Sequence, residues 1–370
     1  VTPRPRFAPR PFELLTFGLT LAVVVFLRAS GLRMDLRTVS FMAGPMIRRL
    51  PFALGLGLVL QAVGLALSRR SPRAWLRAVA SPSSALLWLR VWLAAMAMTY
   101  AYSWLKVSVP LLRRSLLDPA LWSLDRALHL GVSPSVFVVE LVRGTPVAGW
   151  LDLWYGFWVT SVLAALAYVF LSESRPERRN FAFACAFLWL IGVWIYLALP
   201  ALGPCFATPD VFARVLPEMP RSALTQNALW QNYLRMLAGR DGTLRQFNPY
   251  FGVAAFPSLH VGAHWLFALW ARRHRRRLFV PLAAATGLTF LASIASGWHY
   301  AVDGYAGMLL AWLAVRAADR FEPVGAEDGS GSAPIGRQRP GEQETGDERH
   351  RDEDHAKGGL DAENDVALQQ

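Results

Sequence analysis

The sequence predicts an all-α polytopic membrane protein, with a six-helix core preceded by about two further spans. Three observations carry that prediction. The 370 residues are 54% apolar and only 17% charged, with 15 Trp and 21 Phe, a composition too apolar for a soluble domain of this length. The apolar residues form continuous runs of about 15–22, near the roughly 20 needed to cross a bilayer as a helix, and they lack the period of two that a membrane barrel imposes. Arginines sit between the runs, where the positive-inside rule accounts for them more economically than nucleic-acid binding does, so no nucleic-acid partner is expected.

In chain order the runs lie at roughly 12–27, 51–67, 84–105, 150–171, 181–199, 257–271, 279–296 and 303–319. The last six make the catalytic core, residues 84–321, and the first two belong to an N-terminal membrane segment, residues 1–83. Glu13, Arg90 and Asp152 are ionisable residues inside runs. Arg175, Arg178 and Arg179 before the fifth run, and Arg272, Arg273, Arg275, Arg276 and Arg277 after the sixth, place both loops in the cytoplasm. Helix parity then puts 106–149, 200–256 and the turn near 297–302 together on the extracytoplasmic face. Segment 28–50 would share that face yet carries Arg28, Arg33, Arg37, Arg48 and Arg49, which leaves a re-entrant or interfacial course open for the first two spans. The N-terminal run has no small-residue cleavage site and reads as a retained anchor. Residues 322–370 hold 13 acidic and 5 basic side chains and no aromatic; they bury too little to offset chain entropy and predict a disordered, acidic cytoplasmic tail. Cys185, in a run, and Cys205, in a loop, point to neither a disulfide nor a zinc site.

Ionisable residues at the ends of apolar helices are where function is sought, and few qualify. AAFPSLHVGAHWLFALW puts Ser258 and His260 at the mouth of the sixth span, and ASGWHYAVDGYAGMLLAW puts His299 and Asp303 at the mouth of the eighth. By parity both mouths open on one face. His299 and Asp303 are four apart, which on a helix brings them into contact. A carboxylate there accepts the N–H of one imidazole nitrogen and leaves the other a lone pair, which prepares a histidine nucleophile. His260, from another helix, would protonate a leaving group and later take a proton from the acceptor. Singly, each feature has a structural reading: a His at a helix end is often interfacial, and an i,i+4 His/Asp pair is also a plain hydrogen bond. The combination points to catalysis. His264, one turn deeper in the run, reads as buried and hydrogen-bonded. His260, His264 and His299 would suit zinc, but no carboxylate or Cys set completes a ligand spacing, so no metal is expected.

Pro257-Ser258-Leu259-His260 and, 39 residues after that histidine, Gly297-Trp298-His299-Tyr300-Ala301-Val302-Asp303 resemble the second and third signature motifs of the type 2 phosphatidic acid phosphatase superfamily. The fuller spelling, Phe-Pro-Ser-Leu-His-Val-Gly with Gly-Trp-His-Tyr-x-Val-Asp, is most similar to the branch containing inositol phosphorylceramide synthases, an inositolphosphotransferase type, and the resemblance covers about residues 84–320. It implies a phosphatase-like six-helix core, a phosphohistidine intermediate, His299 as nucleophile, Asp303 as its orienting carboxylate, His260 as general acid/base, and no cofactor. Two departures stand out. The Arg that commonly lies six residues before the third-motif His is Ser293 here. The first motif, Lys-x6-Arg-Pro, has a spacing match only at Lys106 and Arg113, followed by Arg114 and not Pro, 151 residues before Pro257.

A transferring phosphate keeps its charge through the transition state and needs a neutralising partner. Lys106, Arg113, Arg114, Arg143, Arg235, Arg240 and Arg245 are the candidates on the expected catalytic face, Lys106 and Arg245 being nearest in sequence to core-span mouths. Ser258 and the N–H groups of the helix opened by Pro257 complete the phosphate-binding set. QNALWQNYLRML has helical spacing and reads as an amphipathic cap on the membrane, or equally as loop packing; with 106–149 it would roof the site and select the acceptor.

These readings converge on an integral-membrane enzyme that attacks a lipid phosphoester. A lipid or polyol hydroxyl as acceptor makes it a phosphotransferase, as the motif spelling suggests, and water makes it a lipid phosphate phosphatase. A different class, a transporter with a His/Asp proton relay, would hold these residues near mid-span. A soluble haloperoxidase-like enzyme would need an oxyanion cofactor and would lack the eight runs. Oligomeric state is not encoded in any of these features.

Overall fold

The computed structural model describes residues 8–32, 34, 38–67, 71–172, 174–238 and 252–324, and among the described residues every regular element is helical. The expected tail beyond residue 324 lies outside them. The helices are α1 (Pro11–Ala29), α2 (Thr38–Leu67), α3 (Pro72–Val79), α4 (Pro82–Leu112), α5 (Asp118–Leu128), α6 (Pro134–Val142), α7 (Pro146–Gly156), α8 (Trp158–Phe170), α9 (Arg175–Ala198), the single turns α10 (Pro204–Ala207) and α11 (Pro209–Phe212), then α12 (Pro220–Ala238), α13 (Leu259–His274), α14 (Phe279–Ala295) and α15 (Ala301–Phe321). Many starts follow one local rule. Ser71-Pro72, Ser81-Pro82, Ser133-Pro134 and Thr145-Pro146 each place a hydroxyl that accepts a first-turn N–H ahead of a proline whose missing N–H costs nothing there.

Among the described residues five helices, α1, α2, α4, α9 and α14, are long and apolar enough to cross a membrane, and α7 with α8 passes the same test only as a bent pair. The chain is thus an all-α polytopic membrane protein. The run expected as one span at 150–171 is broken between Gly156 and Trp158 and bent by 47°, because Phe157 serves at once as the last cap of α7 and the first of α8. The expected 51–67 span is the apolar part of a 30-residue helix that begins at Thr38. α13, at 16 residues, and α15, which carries Asp303, Arg316, Asp319 and Arg320, fall short of the same criterion but lie inside the bundle, α13 against α15, α14 and α9.

The first helix runs along α4 and α9. Glu13 at the start of α1 pairs with Arg90 early in α4, which explains how two charges sit inside apolar runs, while Phe26 near the end of α1 meets Trp194 near the end of α9. α2 returns along α8, with the Gln61 amide donating to the Tyr168 carbonyl. The arginine-rich loops gather at the opposite end from His260 and His299: Glu177 faces His274 and Arg275, Glu322 pairs with Arg179, and Asp319 with Arg273.

Two features fix the other end. A Cβ on Gly262 would come 2.9 Å from the Gly307 carbonyl oxygen, and one on Gly307 would strike that of Ser258, so α13 and α15 cross at backbone contact. Asp125 of α5 accepts the N–H groups of Ala301 and Val302 at 2.9 and 2.8 Å, capping α15 from another helix. Gly307→Val should therefore lower the melting temperature of the detergent-purified protein, by overpacking worth about 1–3 kcal/mol, whereas Gly287→Ala, with nothing within 4 Å of the added carbon, should not. Asp125→Ala leaves two buried donors without an acceptor and should cost about 2 kcal/mol or more; chemical denaturation of both variants measures this, and an unchanged midpoint for Asp125→Ala would remove the clamp from the account.

Candidate active site

The site is assembled where α13 and α15 begin. Ser258 is the N-cap of α13: its hydroxyl accepts the Val261 N–H at 3.4 Å, and its own N–H donates to the Asp303 carbonyl at 2.8 Å. The helix thus opens at Leu259, one residue past the cap and not at Pro257, and His260 is its second residue. His299 sits in the turn between α14 and α15. That turn depends on Gly297, at φ +76°, where a side chain would strike the Phe212 ring, and on the Ser293 carbonyl, which accepts the N–H groups of Trp298 and His299.

Asp303 is the third residue of α15, and His299 precedes the helix, so their contact is made by a first-turn carboxylate reaching back and not along a helix face. One oxygen, Oδ2, accepts the Tyr300 N–H at 2.9 Å and lies 3.3 Å from His299 Nδ1. His299 is 3% exposed and Asp303 fully buried. Burial, and secondarily the charge of Lys106, push the His299 imidazole down to about 3, which keeps it neutral. With Nδ1–H given to Asp303, the lone pair belongs to Nε2, which is 3.4 Å from His260 Nδ1. The structure therefore brings together all three of His260, His299 and Asp303. His264 stays apart, its nitrogens 2.9 Å from the His260 carbonyl and 3.0 Å from the Ser161 hydroxyl; among the described residues no cluster of His, Cys, Asp or Glu could hold a metal.

The phosphate candidates separate. Lys106 of α4 lies close enough for its charge to act on both histidines. Its ammonium rests over the rings of Tyr102 and Tyr196, 5.7 and 5.2 Å from their centroids. Arg113 is two turns further along at the exposed end of α4, with Nε donating to the Leu197 carbonyl at 2.9 Å. Arg143 is engaged by Glu140, Arg114 and Arg235 are exposed, and Arg240 and Arg245 lie outside the described residues.

Sequence reasoning missed the groups that hold this constellation. The Tyr155 hydroxyl lies 2.6 Å from His260 Nδ1, and the Trp158 ring centroid 4.1 Å from that of His260. Asp118, buried in the first turn of α5, accepts the N–H groups of Leu202 and Gly203 and the Tyr300 hydroxyl, each at 2.9 Å. Asp152 accepts the N–H groups of Arg221 and Ser222 at the start of α12, so the helix expected as a cap is tied to the bundle. The signal available was scarcity: residues 1–321 hold few acidic side chains, and Asp118 and Asp152 lie in or beside the segment expected to roof the site.

A family model, described as the PAP2 superfamily, matches residues 119–317, from α5 into α15, and so includes His260, His299 and Asp303 while leaving Lys106 outside. No curated protein and no solved structure shows a match to the chain. With more than half of its length matched and both histidine motifs meeting in one buried site at a helix crossing, the chain belongs to the PAP2 superfamily, the type 2 phosphatidic acid phosphatase superfamily that its motifs resemble.

Proposed function

We propose that the protein is an integral-membrane phosphotransferase that removes a phosphoryl-containing group from a lipid phosphoester through a phosphohistidine at His299. The observation that carries this reading is the line Asp303, His299, His260 with Lys106 beside it: an oriented lone pair, a second imidazole in reach, and a cation that no carboxylate among the described residues pairs with. His299 Nε2 attacks phosphorus, and the P–O bond to the leaving group breaks as the N–P bond forms. His260 supplies the proton to the leaving oxygen and then takes one from the acceptor hydroxyl, which displaces His299. Lys106 neutralises the phosphate oxygens throughout, a role the resemblance would give to an arginine at the position of Ser293. Arg113, two turns along the same helix, Arg245 and the Ser258 cap are secondary phosphate contacts. No cofactor enters.

The partners are a membrane lipid donor and a polar or lipid hydroxyl acceptor. The similarity to inositol phosphorylceramide synthases rests on the motif spelling, and the burial of His299 and Asp303 supports an acceptor more selective than bulk water. With water as acceptor the same residues make a lipid phosphate phosphatase. The start-of-helix positions of His260 and Asp303 argue against a mid-span proton relay. Arginine placement at the far end of the helices supports a catalytic face on the extracytoplasmic side.

His299→Ala should abolish turnover, and a phosphohistidine stable in base and labile in acid should be trapped in His260→Ala but not in His299→Ala. His260→Ala should lose on the order of 100- to 10,000-fold with an alkyl phosphate but far less with p-nitrophenyl phosphate, whose leaving group needs no proton. Label on His260, or full turnover in His299→Ala, would reverse the roles. Lys106→Met should lower kcat/KM about 100-fold, the size of losing one charge-stabilising group, with little change in melting temperature. Purified enzyme given dioctanoyl phosphatidylinositol with and without ceramide decides the acceptor: a phosphoceramide product supports the transferase, and free headgroup phosphate alone makes it a phosphatase.

A further inference from the structure

The His260 ring lies between two groups that compete for one hydrogen. Its Nδ1 is 3.4 Å from His299 Nε2 and 2.6 Å from the Tyr155 hydroxyl. Because Asp303 engages His299 at Nδ1, His299 Nε2 carries a lone pair, and an unprotonated His260 Nδ1 would set a second lone pair against it. The pairing is favourable only with the hydrogen on His260 Nδ1. Held there, that hydrogen points at the nucleophile's own lone pair. Attack on phosphorus requires its release, and a phenol oxygen, able to accept as well as donate, is the group placed to receive it.

We propose that Tyr155 is a positioning residue that accepts the His260 Nδ1–H, freeing His299 Nε2 for phosphorus and making His260 Nε2 the atom that exchanges protons with leaving group and acceptor. This rests on the phosphohistidine reading of the site. The balance is complete within it: the negative charge of the bound phosphate favours a His260 imidazolium, whose Nε2–H passes to the leaving oxygen as P–O breaks and N–P forms, and the neutral ring left behind keeps its Nδ1–H on Tyr155. The acceptor hydroxyl then returns a proton to Nε2 as its oxygen displaces His299.

The broken span is what delivers this group. Tyr155 is the next-to-last residue of α7 and Trp158 the first of α8, and across the 47° bend both rings meet the same imidazole, Tyr155 edge-on with centroids 5.5 Å apart. The Tyr155 ring also stacks on Trp298, 6.2 Å between centroids and 14° between planes, so the residue next to the nucleophile fixes the hydroxyl. Neither Tyr155 nor Trp158 belongs to the histidine motifs.

The test uses the full chain, labelled with 15N-histidine in detergent micelles, with His260 assigned through His260→Gln. In the wild type His260 Nδ1 should give a protonated, pyrrole-type resonance. In Tyr155→Phe, which keeps the ring and its stack, the hydrogen has only His299 Nε2 to bond, whose pyridine-type resonance should move. With p-nitrophenyl phosphate kcat should fall about tenfold, the worth of one neutral hydrogen bond, at unchanged KM and melting temperature. A pyridine-type Nδ1 on wild-type His260, or an unchanged kcat in Tyr155→Phe, would overturn the proposal. The spectra need no turnover, so an active His299→Ala enzyme would sink the phosphohistidine reading while the Nδ1 assignment is decided separately.

Discussion

Asp125 holding the first two N–H groups of α15 is the interaction on which the site depends. A helix start carries four N–H groups without intrahelical acceptors, and a carboxylate from a separate helix that takes two of them fixes both where α15 begins and how it is turned. Everything downstream inherits that position. Asp303 is free to reach back to Tyr300 N–H and His299 because the preceding amides are already satisfied. Asp118 adds a second anchor through the Tyr300 hydroxyl and the Leu202–Gly203 backbone, and Gly203, at φ +103°, lets that turn lie against the Trp298 carbonyl.

On the proposed reading the same geometry accounts for a neutral nucleophile. A buried imidazole with a lysine nearby is disfavoured as a cation, so a neutral His299 would act as nucleophile without needing a strong base. Its carboxylate partner orients it from 3.3 Å, which fixes a tautomer without drawing the ring into a tight ion pair. The close crossing at Gly262 and Gly307 brings His260 to that lone pair. A larger residue at either position would separate the histidines before it changed any of their local bonds.

Much of this was legible in the sequence, and the remainder was not for physical reasons. The apolar runs, their arginine flanks and the two histidine motifs are local patterns, and each was read from contiguous residues. The bend at Gly156–Trp158 was invisible because hydropathy averages over a window longer than the break. The roles of Asp118 and Asp125 were invisible because their partners are backbone N–H groups: Asp125 and Ala301 are 176 residues apart, and a backbone amide leaves no side-chain signature at its own position. Tyr155 was hidden in an apolar, aromatic run where a tyrosine looks like interfacial packing. The Lys106 spacing was legible, but only its place beside the histidines, resting on two tyrosine faces, distinguishes it from other basic residues on that face.

The acidic residues of the arginine-rich end pair with side chains, whereas the four aspartates packed around the histidines take backbone N–H groups. At the arginine-rich end, Glu177, Asp319 and Glu322 pair with basic side chains, which cancels charge. At the catalytic end, Asp118, Asp125, Asp152 and Asp303 are directed at backbone N–H groups. Carboxylate oxygens that accept amide N–H groups organise the backbone, while Asp303 Oδ1 is buried without a hydrogen-bond partner among the described residues. The Lys106 ammonium lies over two tyrosine rings and no carboxylate among the described residues pairs with it, in a low-dielectric setting where a single charge acts strongly. On the proposed reading an arriving phosphate supplies the counter-ion, and the contact that binds the lipid headgroup is the one that would stabilise charge on the phosphorus oxygens during transfer.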